Sequence, residues 1–239
     1  MKNQELWEMR SRVYAHMIAT RGWKYSSFLR FLRLFKYLSF SPTRGAFLEL
    51  YYVLMRYLDD IVDGDAPLPE KYRCESDFIR EKIRFSRKLS TPQDEADYLM
   101  LRCFELADKF NQDVSKETED ILNSLLFDAE RKGKYTVFPK SVLEEHFHKM
   151  DIRGTIRATL KVFNDDPDKY EILEPLGTAC RYQFDIEDLK SDLDAGYVNI
   201  TQEEMEELGL CLEDLKNKRL DKLGLWVRRH AREGLMLLN

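Results

Sequence analysis

The sequence holds little of what breaks, staples or inserts a chain. With 10 Gly and 7 Pro in 239 residues, it lacks the dense turn signals of a β-sandwich or barrel and the composition of a long disordered chain. Its four cysteines, Cys74, Cys103, Cys180 and Cys211, lie tens of residues apart without a CxxC pair. That spacing argues against a zinc ribbon or redox motif and predicts buried free thiols in a reducing compartment. No run approaches the ~18 apolar residues of a membrane span, and the N-terminal MKNQELWEMRSR has no apolar signal core. These absences predict a soluble, cytoplasmic protein. An excess of basic charge is missing as well: 38 Lys and Arg stand against 43 Asp and Glu, a net charge of −5, which argues against a nucleic-acid partner.

What is present is helical periodicity in almost every segment, with charged residues at 34%, above the usual ~25%, as long solvated helix faces require. Breakers divide the chain into about ten helices. Ser41-Pro42-Thr43 opens a helix that runs to Gly64. GDAPLPEKY is a loop. Thr91-Pro92 sets proline at a first helical position. Ser115 caps a helix running to Gly133, Asn164–Pro167 is a turn, Gly196 ends another helix, and Thr201–Glu204 has the pattern of a capping box. The reading is all-α, one domain over residues 1–239, with too many helices for a simple four-helix bundle.

Two acidic clusters stand in unfavourable places. From Leu48 to Leu58 the chain is almost wholly apolar or aromatic, so this helix is buried on most sides, yet its last turn carries Asp59, Asp60 and Asp63. Asp59 and Asp63, spaced i, i+4, share a face with Arg56. Carboxylates so placed repel and meet the negative end of the helix dipole. A hard cation resolves both problems, and carboxylate oxygens suit Mg²⁺ completed by water and phosphate. The oddity recurs at Asp185, Asp188 and Asp192, spaced i, i+3, i+7 ahead of Gly196. If the two helix ends face each other, their carboxylates line the mouth of one apolar cavity. Either cluster alone is equally well read as a solvated face, the second more so because Glu187, Lys190 and Asp194 make its end polar all round.

At these residues the chain resembles the squalene/phytoene synthase family of head-to-head isoprenoid synthases. YYVLMRYLDDIVDG is similar to the family's first aspartate motif, and DLKSDLDAGYVNITQEEMEELGL to its second. Weaker echoes are SSF at 26–28, FDAERKGKY at 127–135, RGTIRA at 153–158 and HAREGL at 230–235. The resemblance implies an isoprenoid-synthase fold, many helices around a central apolar cavity. It implies a Mg²⁺-dependent prenyltransferase that condenses two C15 or C20 prenyl diphosphates, farnesyl or geranylgeranyl diphosphate. It makes Asp59, Asp63, Asp188 and Asp192 catalytic metal ligands, with Asp60 and Asp185 flanking candidates. Arg56 steadies a diphosphate, and Ser27, Phe28 and Tyr52 belong to the substrate-binding set. NADPH use is open, since family members that use it lack GxGxxG, as this chain does.

The chemistry suits the residue types. Mg²⁺ and Arg take up the charge of a departing diphosphate, and aromatic faces stabilise the carbocation left behind. The chain has 3 Trp, 12 Tyr and 14 Phe. Tyr51, Tyr52, Phe28, Phe31 and Phe35 suit cavity walls, while ordinary core packing is the stronger reading of each one taken singly.

Departures from the family pattern point to the alternatives. Phe184 and Glu187 stand where the family has Asn and Arg, Asn199 stands in the place of a Tyr with Tyr197 two residues early, and His148 replaces a mid-chain Tyr. A terpene cyclase or other transfer from a single diphosphate would use the same clusters. A non-catalytic relative would bind or assemble without turnover. A di-iron site fails because Glu145–His148 is the only ExxH, and His146 and His148 are expected to bond locally or face solvent. The amphipathic C-terminal stretch LEDLKNKRLDKLGLWVRRHAREGL would suit peripheral membrane contact, and an ordinary packed helix explains it as well.

Overall fold

The computed structural model describes residues 3–38 and 41–239. Among these residues it is all-helical, with eleven α-helices and no strand. A long α1 (Asn3–Leu38) lies against α2 (Pro42–Asp63), which also packs on α4 (Glu95–Asp108) and α5 (Ser115–Arg131). The α3 helix (Glu75–Arg87) covers α5. The α6 helix (Lys140–Phe147) continues through a π-helical turn, His148–Gly154, into α7 (Thr155–Val162). Then come α8 (Tyr170–Ala195), the short α9 (Gln202–Leu208) and α10 (Leu212–Lys216), and α11 (Leu220–Leu237), which packs along α8.

Two cores result. The larger is built on α2, whose Phe47, Leu50, Tyr51, Val53, Leu54, Leu58, Ile61 and Val62 are buried among side chains of α1, α3, α4, α5 and α7. The near-continuous apolar run predicted this burial. Even its Glu49 is buried, held by the Tyr14 hydroxyl at 2.5 Å and Arg33 at 3.2 Å from α1. The smaller core joins the end of α8 to α9, α10 and α11 through Leu193, Ile200, Leu215, Leu223 and Trp226.

Several expected signals sit where they were read. Pro42 opens α2, and Gly64 and Gly196 close α2 and α8 with positive φ. Thr201 and Glu204 form both bonds of a capping box. Others differ. Pro92 lies in the loop, and α4 begins three residues later because Asp94 caps it by accepting from the Asp97 N–H. Ser115 is the first residue of α5 rather than its cap; its N–H is taken by Asp113 Oδ1 at 2.8 Å. All four cysteines are free, but only Cys103 is buried, while Cys180 and Cys211 are exposed. No helix among the described residues is long and apolar enough to cross a membrane.

A cavity of about 670 Å³ has mixed walls, with Glu144, Asp185 and Arg229 beside Leu143, Phe147 and Ile152.

Candidate functional site

Three helix C-termini meet at one place. Lys132, just past α5, donates its Nζ to the Val62 carbonyl at the end of α2 at 2.7 Å. Gly133 donates to Ala195 O and Tyr135 to Gly196 O, each at 3.0 Å, tying the same turn to the end of α8. The fit depends on glycine on both sides: a Cβ on Gly196 would stand 2.5 Å from Gly133 Cα. Each helix end contributes roughly half a negative charge, so the ends of α2, α5 and α8 concentrate negative potential before any side chain is counted.

A cleft of about 290 Å³ opens there. Asp59, Asp63 and Arg56 line it from α2, Asp128 and Arg131 from α5, and Arg181, Asp188 and Asp192 from α8. Asp151 and Met150 enter from the π-helical turn, a form of helix that often marks functional segments, and Tyr197 and Asn199 from the loop after α8. Asp59 and Asp63 of the first acidic cluster and Asp188 and Asp192 of the second therefore face one space. Tyr52, Met55, Phe147 and Phe184 supply its apolar surface.

The electrostatics are uneven. Arg56 pairs with Asp59 at 2.5 Å and with fully buried Asp60 at 3.1 Å. Asp128 receives Arg131 Nε at 2.7 Å and faces His146 Nε2 at 3.2 Å. Burial would raise its carboxyl, but the neighbouring His146 and Arg131 outweigh burial and bring it down to about 2. Across the cleft, burial pushes Asp192 up to about 7; Asp188 and Asp185 add to the rise against the opposing pull of Arg181 and Arg131. Burial raises the Asp151 carboxyl too. Arg181 joins Asp185 at 2.8 Å and lies 3.8 Å from Asp151. Asn199 Nδ2 donates to Asp192 at 2.9 Å and to Asp185 at 3.3 Å. Burial keeps the Tyr197 hydroxyl protonated well beyond the ordinary tyrosine range.

Not every expected residue reaches the cleft. Asp60 and Asp185 are buried behind it, each tied to an arginine. Ser27 is exposed and lines no described cavity. Phe28 meets the cleft only through Tyr52, edge-on at 4.8 Å between ring centres. Tyr51 is core, stacked on Phe47. Phe31 is exposed. Glu187 turns away toward Gln183. His146 is neither solvent-facing nor locally bonded, but reaches Ser124 on α5 at 2.7 Å. Asp128, Arg131, Asp151 and Arg181 join the cleft without a signal of their own in the sequence beyond the FDAERKGKY segment that holds the first two.

The site fits a cation and an anion together. Tyr197 OH, Asn199 Oδ1 and Asp151 Oδ2 are buried and lack a hydrogen-bond partner in the protein, so each has capacity left for a ligand. Asp59, Asp63, Asp188 and Asp192 offer oxygens, and Arg56, Arg131 and Arg181 offer donors. Among the described residues no three carboxylate, imidazole or thiolate groups converge at ligating distance. No family model, curated protein or solved structure matches the chain.

Proposed function

We propose that this protein is a Mg²⁺-dependent prenyltransferase that ionises a prenyl diphosphate and couples it to a second one, in the manner of squalene and phytoene synthases. The observation that carries the proposal is the cleft itself. Two aspartate-bearing helix ends and three arginines border one space, and an apolar trough adjoins it. Bound Mg²⁺ would neutralise the leaving diphosphate. Asp59 and Asp63 on one wall and Asp188 and Asp192 on the other are the residues to hold it. Arg56, Arg131 and Arg181 would bind diphosphate oxygens and keep them in place as the allylic C–O bond breaks. The protonated Tyr197 hydroxyl would donate to the same anion. Tyr52, Phe147 and Phe184 turn aromatic surface toward the carbocation and keep water from it.

The prenyl chain has a matching surface. A trough of about 300 Å³, lined by Ile156, Leu173, Leu176 and Cys180, shares Asp151, Arg181 and Phe184 with the cleft. A second reading, a cyclase or transfer from a single diphosphate, would use the same cleft and trough; a cavity of about 670 Å³ that shares Phe147, Asp151, Arg181 and Asn199 with the cleft offers room for a second substrate.

Product analysis separates the readings. The protein is incubated with Mg²⁺ and farnesyl or geranylgeranyl diphosphate, with and without NADPH, beside Asp59→Asn. A C30 or C40 product absent from the variant supports coupling. A C15 or C20 hydrocarbon or alcohol supports the single-substrate reading. No diphosphate release from either substrate refutes both.

A further inference from the structure

The second half of α1 carries a surface that the cleft does not explain. Trp23, Phe31, Leu34 and Leu38, at i, i+8, i+11 and i+15, fall within about 80° of one another around the helix at 100° per residue. Their exposures are 81, 57, 55 and 62%. The opposite side is the one that packs: Leu29 and Leu32 are buried, and the Lys36 backbone lies close against Gly45 of α2. The same stretch, residues 21–38, holds Arg21, Lys24, Arg30, Arg33 and Lys36 and not one of the chain's 43 acidic residues. At 100° per residue the positions of Lys24 and Arg30 fall at the two edges of the apolar stripe, while Arg33 lies farther round and Lys36 on the packed side. Arg33 is partly engaged by Glu49, and Arg30 points to solvent.

We infer that this face of α1 docks on an anionic lipid bilayer. Four large apolar side chains on one stripe form a patch that a soluble monomer rarely leaves open. A second copy of this chain is a poor cover, because a two-fold interface apposes the same patch and would bring the basic positions at the edges of one stripe, Lys24 and Arg30, toward those of the other. An anionic bilayer meets both needs: headgroups receive the Lys and Arg, and the acyl boundary receives Trp, Phe and Leu. That division of residues is the composition of an interfacial helix. The inference does not rest on the diphosphate reading, since Trp23, Leu34 and Leu38 line no described cavity.

The test is co-sedimentation of the full chain with vesicles of phosphatidylcholine plus phosphatidylserine, beside phosphatidylcholine alone. The expected result is binding to the mixed vesicles only, weakening as salt rises. Trp23→Ser with Leu34→Ser is expected to weaken it at least tenfold, and Arg30→Glu about fivefold or more. Leu34→Phe and Arg30→Lys keep the apolar surface and the charge, so they should bind as the parent does, which separates docking from misfolding. Equal binding to neutral vesicles, no binding to anionic ones, or insensitivity to these variants would overturn the inference. So would a dimer in sedimentation velocity that Leu34→Ser dissociates.

Discussion

At the end of α2, Arg56 lies between Asp59 and the fully buried Asp60, and Lys132 caps the Val62 carbonyl. At the end of α8, Asp188 is exposed, and Asp192 has an amide, Asn199, as its hydrogen-bonding neighbour. Each end ties its buried aspartate to an arginine, Asp60 to Arg56 and Asp185 to Arg181; they differ in that Asp59 shares Arg56, while Asp192 is hydrogen-bonded by an amide. The contrast follows from packing. The α2 helix is surrounded by five others, so any charge at its end must be paired to be tolerated. The α8 helix has only Ala179, Asp185 and Leu193 buried, and water can carry part of its charge. In this account Asp59 and Asp60 are balanced before any ligand binds, and the proposed cation would take up the charge of Asp192.

Four substitutions sharpen that comparison, in order of expected effect on stability. Arg56→Ala removes the cation from buried Asp60 and should cost about 3–5 kcal/mol in urea unfolding. A loss below about 1 kcal/mol would mean that the first cluster is not balanced by this pair.

Asp192→Asn should act in the opposite direction. A carboxyl raised to about 7 when folded, against ~3.9 unfolded, holds its proton more tightly in the native state. Its ionisation therefore costs stability as pH rises from about 4 to 7, and the full cost remains above that. The variant should be more stable than the parent by on the order of 2–4 kcal/mol at pH 8, and equal to it below pH ~4, while losing Mg²⁺-dependent diphosphate binding. Asp128, held at about 2, works the other way: its contribution is present above ~3.9 and fades as pH falls toward 2. Urea midpoints measured across pH on parent and variant check both signs.

Asn199→Ala removes the hydrogen bond that orients Asp192. It should cost about 1 kcal/mol of stability and weaken Mg²⁺-dependent diphosphate binding roughly 10–100-fold, as loss of outer-sphere support does. Asp188→Asn, on an exposed side chain, should change stability by no more than about 0.5 kcal/mol and still abolish that binding. A stability change as large as that of Arg56→Ala would erase the distinction between the two helix ends.

The same contrast explains what the sequence revealed. An apolar run ending abruptly in Asp59, Asp60 and Asp63 is a local conflict, and local conflicts mark sites. The spacing of Asp185, Asp188 and Asp192 gave the second wall in the same way. The hub between them was faint, because Asp128, Arg131 and Lys132 lie on a helix end of ordinary composition. Their roles come from long-range contacts with Val62, Val198 and His146, which no periodicity records. Arg181 is likewise one arginine on a mixed helix until the π-helical turn brings Asp151 near it. The misplaced starts of α4 and α5 have a shared cause: Asp94 and Asp113 accept backbone N–H bonds and set the entry geometry ahead of Pro92 and Ser115. The exposed Cys180 shows the limit of reading burial from residue type, since α8 leaves most of its surface uncovered.

The central claim is that the ends of α2 and α8 form one site. The direct measurement is calorimetric titration of inorganic diphosphate, with and without Mg²⁺, into the parent, Asp59→Asn, Asp188→Asn and the double variant. The account predicts Mg²⁺-dependent binding to the parent, its loss in each single variant, and no further loss in the double, because both walls hold one ligand. Losses that add independently, or binding indifferent to either aspartate, would contradict it.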